Sequence, residues 1–307
     1  MVFVALACSL GMASAAKGQQ PEIRVERDIV YGKADRVELQ LNLALPKKDK
    51  GPFPAVVCIH GGGWYQGRRQ DMDPMTELLA RRGYVAATVS YRLVPSARFP
   101  AQIEDCKAAV RWLRANAVKY HINPDRIGAI GPSAGGHLSC LLGVTDKKNG
   151  LEGSGGNPEL SSRVQAVVSF FGRTDFTKRD WSKELEKEIF VPLIGASFDD
   201  KPELYKRVSP LAYVSRTSPP FLFLHGAEDK LVPPRNSTDM AEKLQAAGVS
   251  AKAIIVEGVG HGQAHPKVRR AAPSAKAIIV EEGHGWGEKM AKSIEQSVAF
   301  FDEHLKK

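Results

Sequence analysis

An unbroken apolar run, Ile127-Gly128-Ala129-Ile130, leads straight into Gly131-Pro132-Ser133-Ala134-Gly135-Gly136. Few local patterns restrict a chain so tightly. The run has the length of a buried strand, and a Gly-x-Ser-x-Gly directly after it suits a strand that turns sharply into a helix. On so tight a turn the serine backbone is strained and its hydroxyl projects off the sheet edge. The positions two before and two after it, Gly131 and Gly135, must be nearly bare so that strand and helix can approach. The pentapeptide alone also occurs by chance, and a serine in this place can simply cap the following helix. The rest of the chain decides between the two.

Strands and helices alternate along the body. Ile23 to Val30 and Val37 to Leu45 read as two early strands with period-two patterning, joined by a glycine-containing turn. Ala55 to Ile59 is continuously apolar, as a strand covered on both faces is. A helical segment from Asp73 to Arg82, a strand from Tyr84 to Val89 and an amphipathic helix from Gln102 to Asn116 follow. After the serine turn, Val164 to Phe171 and Phe221 to Leu224 read as core strands, Thr238 to Ala247 as a helix, and Glu288 to Leu305 as the final helix. Such alternation predicts an α/β fold: one domain over 21–307, with a mostly parallel central sheet and helices on both faces. Two segments break the rhythm. Residues 173–215, with Trp181, Phe190 and Phe198, are too long for an ordinary connection and read as a small cap insertion over a pocket, or as aromatics packing that insertion onto the body. Residues 250–285 hold a local tandem duplication: Ser250 to Glu257 recurs as Ser274 to Glu281, and each copy leads into Gly-His-Gly. Two copies make no solenoid.

The formal charge of +9 raises the question of a polyanionic partner. Its Lys and Arg residues are scattered, however, and a solvated basic surface is the better reading, with no nucleic acid implied. The first 20 residues read as an export signal and leader. An apolar stretch from Val2 to about Met12, too short to span a bilayer, is followed by the small-x-small site Ala13-Ser14-Ala15. No Lys or Arg precedes the stretch, which points to a natural start further upstream. A periplasmic or extracellular protein is expected, without stable membrane insertion; a cytoplasmic protein with an apolar tail is the alternative. Cys58, Cys106 and Cys140 would remain, and their odd number and apolar settings predict buried free thiols.

A serine hydroxyl is a weak nucleophile, so acyl transfer needs a base, an orienting acid and donors for the oxyanion. His60-Gly61-Gly62-Gly63-Trp64 follows the strand ending at Ile59. Its glycines let backbone N–H groups face a developing alkoxide, Gly62 and Gly63 from this loop and Ala134 from the helix start. A plain flexible turn is the alternative for three glycines. Asp229, after the strand ending near Leu224, is the candidate acid, because strand ends in an open α/β sheet share one rim. Glu228 and Asp175 are fallbacks. The base must follow the last strand, and the duplication offers His261 and His284. A crossover helix and one strand fit between Asp229 and His261, which favours His261. His284 runs directly into the final helix and is the alternative. No metal or cofactor is called for.

These motifs, with Tyr91-Arg92-Leu93, Arg98-Phe99-Pro100-Ala101-Gln102 and His225-Gly226, occur in the order found in the α/β-hydrolase superfamily. The chain resembles its hormone-sensitive-lipase-like and feruloyl/acetyl-xylan esterase-like carboxylesterases over roughly residues 22 to 262. The resemblance implies an α/β-hydrolase fold, Ser133 as nucleophile, Asp229 as acid, and Gly62, Gly63 and Ala134 around the oxyanion. It departs at the end, where the family has one Gly-x-Gly-His segment and this chain has two. The implied activity is ester hydrolysis on a short-chain or acetyl/feruloyl-type ester, free or linked to polysaccharide, with Trp64 and the cap aromatics narrowing the site. A serine peptidase on the same fold is the rival enzyme. A binding protein built on a hydrolase fold is the rival of another class.

Overall fold

A computed structural model describes residues 21–34, 36–47, 50–262, 278–281 and 286–306. The leader expected over 1–20, Cys8 and His284 lie outside the described residues. The elements run in chain order as β1 (Ile23–Ala34), β2 (Val37–Pro46), β3 (Phe53–Ile59), α1 (Asp73–Arg81), β4 (Val85–Val89), α2 (Ala101–Ala115), β5 (Ile122–Pro132), α3 (Ala134–Val144) and β6 (Ala166–Phe170). Three short helices follow, α4 (Lys183–Leu185), α5 (Val191–Ile194) and α6 (Pro202–Val208), then β7 (Phe221–Gly226), α7 (Arg235–Ala246), β8 (Ala251–Val256), β9 (Ile278–Glu281) and α8 (Trp286–Leu305). The described strands form one sheet in the order β1-β2-β4-β3-β5-β6-β7-β8-β9. Only the pairs β1–β2 and β2–β4 are antiparallel. The helices cover both faces, as expected for an α/β-hydrolase.

The apolar runs are continuous because both sheet faces are buried. Every residue of β3 is buried, and alternate side chains belong to different cores. Ala55, Val57 and Ile59 join the core under α2, α3 and the 173–215 insertion, whereas Val56 and Cys58 join the core under α1 and α8. Cys58, Cys106 and Cys140 are buried free thiols.

Several boundaries differ from the sequence reading. The strand expected to stop at Val30 continues to Ala34, because β-bulges near Asp28 and Tyr31 let it keep pairing with β2. The strand leading to Ser133, read from Ile127, begins at Ile122. Helix α7 starts three residues before the expected Thr238, since Pro233-Pro234 presets φ for a first turn. The insertion over 173–215 is a run of short helices whose aromatics pack it onto the body. Phe190 lies against Trp64 and Phe176, and Trp181 against Phe190, Phe198 and Tyr205. Glu186 gathers this segment by accepting hydrogen bonds from Trp181 Nε1, the Phe198 N–H and the Tyr205 hydroxyl. The two copies of the duplicated segment contribute neighbouring parallel strands, Ala253 of β8 opposite Ile278 of β9, and β9 is the sheet's outer strand.

Candidate active site

Parallel strands bring their C-terminal ends to one rim, and four loops rise from it: residue 60 onward from β3, Ser133 from β5, Asp229 from β7 and His261 from β8. Ser133 sits on the predicted elbow with φ 52° and ψ −118°, a conformation that L-residues rarely adopt. Its N–H donates to the Phe170 carbonyl at 2.8 Å, and its carbonyl accepts from the His137 N–H at 2.9 Å, so backbone bonds on both sides hold the turn. The bare flanks are needed. A Cβ on Gly131 would lie 2.5 Å from the Ile59 carbonyl oxygen, and one on Gly135 would collide with the same oxygen.

Ser133, His261 and Asp229 come together. Ser133 Oγ and His261 Nε2 are 2.8 Å apart, and His261 Nδ1 lies 2.7 Å from Asp229 Oδ2. A carboxylate only accepts, so Nδ1 carries the ring hydrogen and Nε2 presents its lone pair to the serine hydroxyl. The Asp229 side chain is fully buried, and burial alone would oppose its ionisation. Hydrogen bonds from His225 and His261 outweigh that cost and hold the carboxyl well below the usual carboxylate range. The backbone N–H groups of Leu231 and Val232 donate to Oδ1 at 2.9 and 2.8 Å. The fallback acids lie elsewhere in the network: Asp175 caps its own turn through Thr177, and no hydrogen bond joins Glu228 to His261 among the described residues.

The glycine loop is packed on the elbow, since a Cβ on Gly61 would lie 3.5 Å from that of Ser133. Gly62 and Gly63 have φ of 108° and 63°, and a Cβ on Gly62 would strike Gln66. The N–H groups of Gly62, Gly63 and Ala134 donate to no acceptor among the described residues. Behind them the His60 ring stacks on Tyr91 at 4.2 Å, and the Tyr91 hydroxyl donates to the His60 carbonyl at 3.0 Å. Arg92 in turn grips Asp105 of α2 through its backbone N–H and guanidinium. The motif around Tyr91 therefore buttresses the loop.

Some contributors carry no role in the sequence reading. His225 Nε2 donates to the Val232 carbonyl at 2.8 Å and faces Asp229 Oδ2 at 3.2 Å, with Ser237 Oγ on its other nitrogen. The Phe171 ring stands edge-on to His261 at 4.8 Å. Arg173, 2% exposed, binds Asp180 of the insertion at 2.5 Å and the Leu231 carbonyl at 3.1 Å, which ties the insertion to the loop that carries Asp229. Of these, only the motif position of His225 was visible beforehand. Trp64, expected to narrow the site, is 5% exposed with its ring held in the core, and its Nε1–H donates to His137 Nδ1.

Burial pushes His137 down to about 4; the nearby Arg173 charge acts the same way, against an opposing hydrogen bond to the Val208 carbonyl. The unfolded chain takes up this proton near pH 6.5 while the folded chain refuses it, so folding stability drains away as pH falls from 6.5 toward 4. In urea titrations at pH 7 and 4.5, wild type should lose roughly 2–3 kcal/mol more than His137→Gln, which lacks the titrating ring. Equal losses would show that this imidazole does not govern the acid sensitivity.

A serine, a histidine and an aspartate hydrogen-bonded in series on the strand-end rim of this sheet, beside a glycine loop, accord with the α/β-hydrolase fold. The chain belongs to the BD-FAE family, whose profile matches residues 41–244. It is 32% identical to Esterase LipC of Mycobacterium tuberculosis over 83% of this chain and 64% of that protein. It spans only 53% and 50% of two further M. tuberculosis relatives, Esterase LipQ and the probable carboxylic ester hydrolase LipM. Among solved structures, a truncated carbohydrate esterase from gut microbiota matches with TM-score 0.75 and 27% identity, covering 94% of this chain and 99% of that one. The propionate-bound esterase Est2 of Thermogutta terrifontis matches with TM-score 0.71 and 26% identity, over 93% and 94% of the respective chains.

Proposed function

We propose that the protein is a serine carboxylic ester hydrolase acting through an acyl-enzyme. The observation that carries this reading is the unbroken relay from Asp229 through His261 to Ser133 Oγ, beside backbone donors with no other partner among the described residues. Ser133 Oγ attacks the ester carbonyl carbon as its proton passes to His261 Nε2. The carbonyl π bond becomes an alkoxide, received by the N–H groups of Gly62, Gly63 and Ala134. Asp229 holds the ring in the required tautomer and stabilises the imidazolium. The tetrahedral intermediate collapses, the ester C–O bond breaks, and the alcohol leaves with the proton from His261. Water, deprotonated by the same nitrogen, then attacks the acyl-enzyme and releases the acid.

The substrates proposed are short-chain or acetyl/feruloyl-type esters, free or carbohydrate-linked. Likeness to a carbohydrate esterase and to a propionate-bound esterase supports this class. We also read residues 1–20 as an export signal, which would bring the enzyme to such substrates; among the described residues no helix is long and apolar enough to cross a membrane. A panel of p-nitrophenyl acetate, butyrate and octanoate beside peptide p-nitroanilides tests the reading, run with a fluorophosphonate probe. Hydrolysis of the short esters and covalent labelling are expected. Turnover of the anilides alone would make it a peptidase, and inertness to substrates and probe alike would make it a binding protein.

A further inference from the structure

Three consecutive residues of the glycine loop have positive φ, and the third is not glycine. Trp64 follows Gly62 and Gly63 with φ 62°. A bulky residue in the left-handed region costs on the order of 1–3 kcal/mol and persists only where its surroundings dictate it. Its side chain shows what dictates it. The indole Nε1–H donates to His137 Nδ1 at 3.1 Å, and the two rings meet edge-on with centroids 5.1 Å apart. Phe176 and Phe190 close around the indole at 5.9 and 6.5 Å.

His137 is completely buried on the first turn of α3. Its backbone N–H binds the Ser133 carbonyl, and its Nε2 lies 2.8 Å from the carbonyl of Val208 at the end of α6. A carbonyl only accepts, so the ring hydrogen sits on Nε2 and the Nδ1 lone pair receives the tryptophan N–H. One neutral, rigid ring thus joins the nucleophile's helix, the cap and the residue next to the oxyanion donors. All three contacts are shielded from water, where a missing partner leaves a buried polar group unsatisfied.

We infer that His137 is a positioning residue for the oxyanion hole: acting through Trp64, it fixes the Gly62 and Gly63 N–H groups relative to Ser133. The inference rests on the serine-hydrolase reading above. Donors that are loosely held bind the ground state almost as well but stabilise developing charge less, so kcat falls while KM changes little.

The test uses the full chain and p-nitrophenyl acetate, with the rate of Ser133→Ala subtracted and folding checked by circular dichroism melts. His137→Leu and Trp64→Phe should each lower kcat roughly 10- to 100-fold with KM within about threefold. The double variant should be no worse than the poorer single, because both break one bond. His137→Gln, which offers an acceptor and a donor, should recover most of the rate lost in His137→Leu. Affinity for a trifluoromethyl ketone, whose Ser133 adduct places an oxyanion in the hole, should fall in step with kcat. Folded variants with kcat within about twofold of wild type, losses that multiply in the double variant, or a glutamine variant as slow as leucine would each overturn the inference. If His137→Leu does not fold, Trp64→Phe and the ketone decide alone. Activity that survives in Ser133→Ala would instead overturn the parent reading.

Discussion

Ser133→Ala should abolish turnover of p-nitrophenyl acetate, with a fall in kcat on the order of 10⁵- to 10⁶-fold. The expectation is large because in the proposed mechanism the hydroxyl oxygen forms and breaks the covalent bond, and no other nucleophile is hydrogen-bonded to His261 among the described residues. The variant should also fold. The elbow is held by backbone bonds to Phe170 and His137, which alanine keeps, and among the described residues no group other than His261 is hydrogen-bonded to Oγ. A melting temperature within a few degrees of wild type, together with loss of fluorophosphonate labelling, is the expected pair of results. A folded, unlabelled but fully active variant would remove Ser133 from the reaction.

His261→Ala should be nearly as damaging, roughly 10⁴- to 10⁶-fold in kcat, whereas His284→Ala should leave the rate within about twofold. The near-identity of the two Gly-His-Gly segments makes the pair informative. His261 holds both bonds of the relay, 2.7 Å to Asp229 and 2.8 Å to Ser133, and it follows the strand adjoining β7, which carries the acid. Removing it strips the proposed proton acceptor and leaves Asp229 buried with one imidazole partner fewer. The reverse outcome, activity lost only in His284→Ala, would transfer the base to the second copy.

The large features were readable because they have local causes. Continuous apolar runs marked strands covered on both faces, and Gly131 and Gly135 flag the elbow through the atoms a Cβ would strike. Asp229 reads as the acid although Glu228 beside it and Asp175 also follow strands, and His261 is preferred to His284 because a crossover helix and one strand fit between it and Asp229. What stayed hidden depends on tertiary contacts between distant segments. Nothing local announces that Trp64 donates to His137 across 73 positions, or that His225 shares the Asp229 carboxylate. The cap aromatics were ambiguous for the same reason, since a ring lining a pocket and a ring filling a core look alike in sequence. Boundaries shifted wherever β-bulges or a Pro-Pro pair changed local geometry, as in β1 and α7.

The order of strands also sets a distance. Ser133 rises from β5 and Asp229 from β7, with β6 between them. Neighbouring strands lie about 4.8 Å apart, so these roots are separated by close to 10 Å. No carboxylate can touch a hydroxyl across that gap, and one flat five-membered ring, entering from β8, spans it. The sheet thus works as a ruler, and the loops above it may lengthen, shorten or be copied while the spacing of their roots stays the same. The first copy of the duplicated strand, β8, lies beside β7 and keeps that measure, while the second, β9, pairs with β8 on its far side.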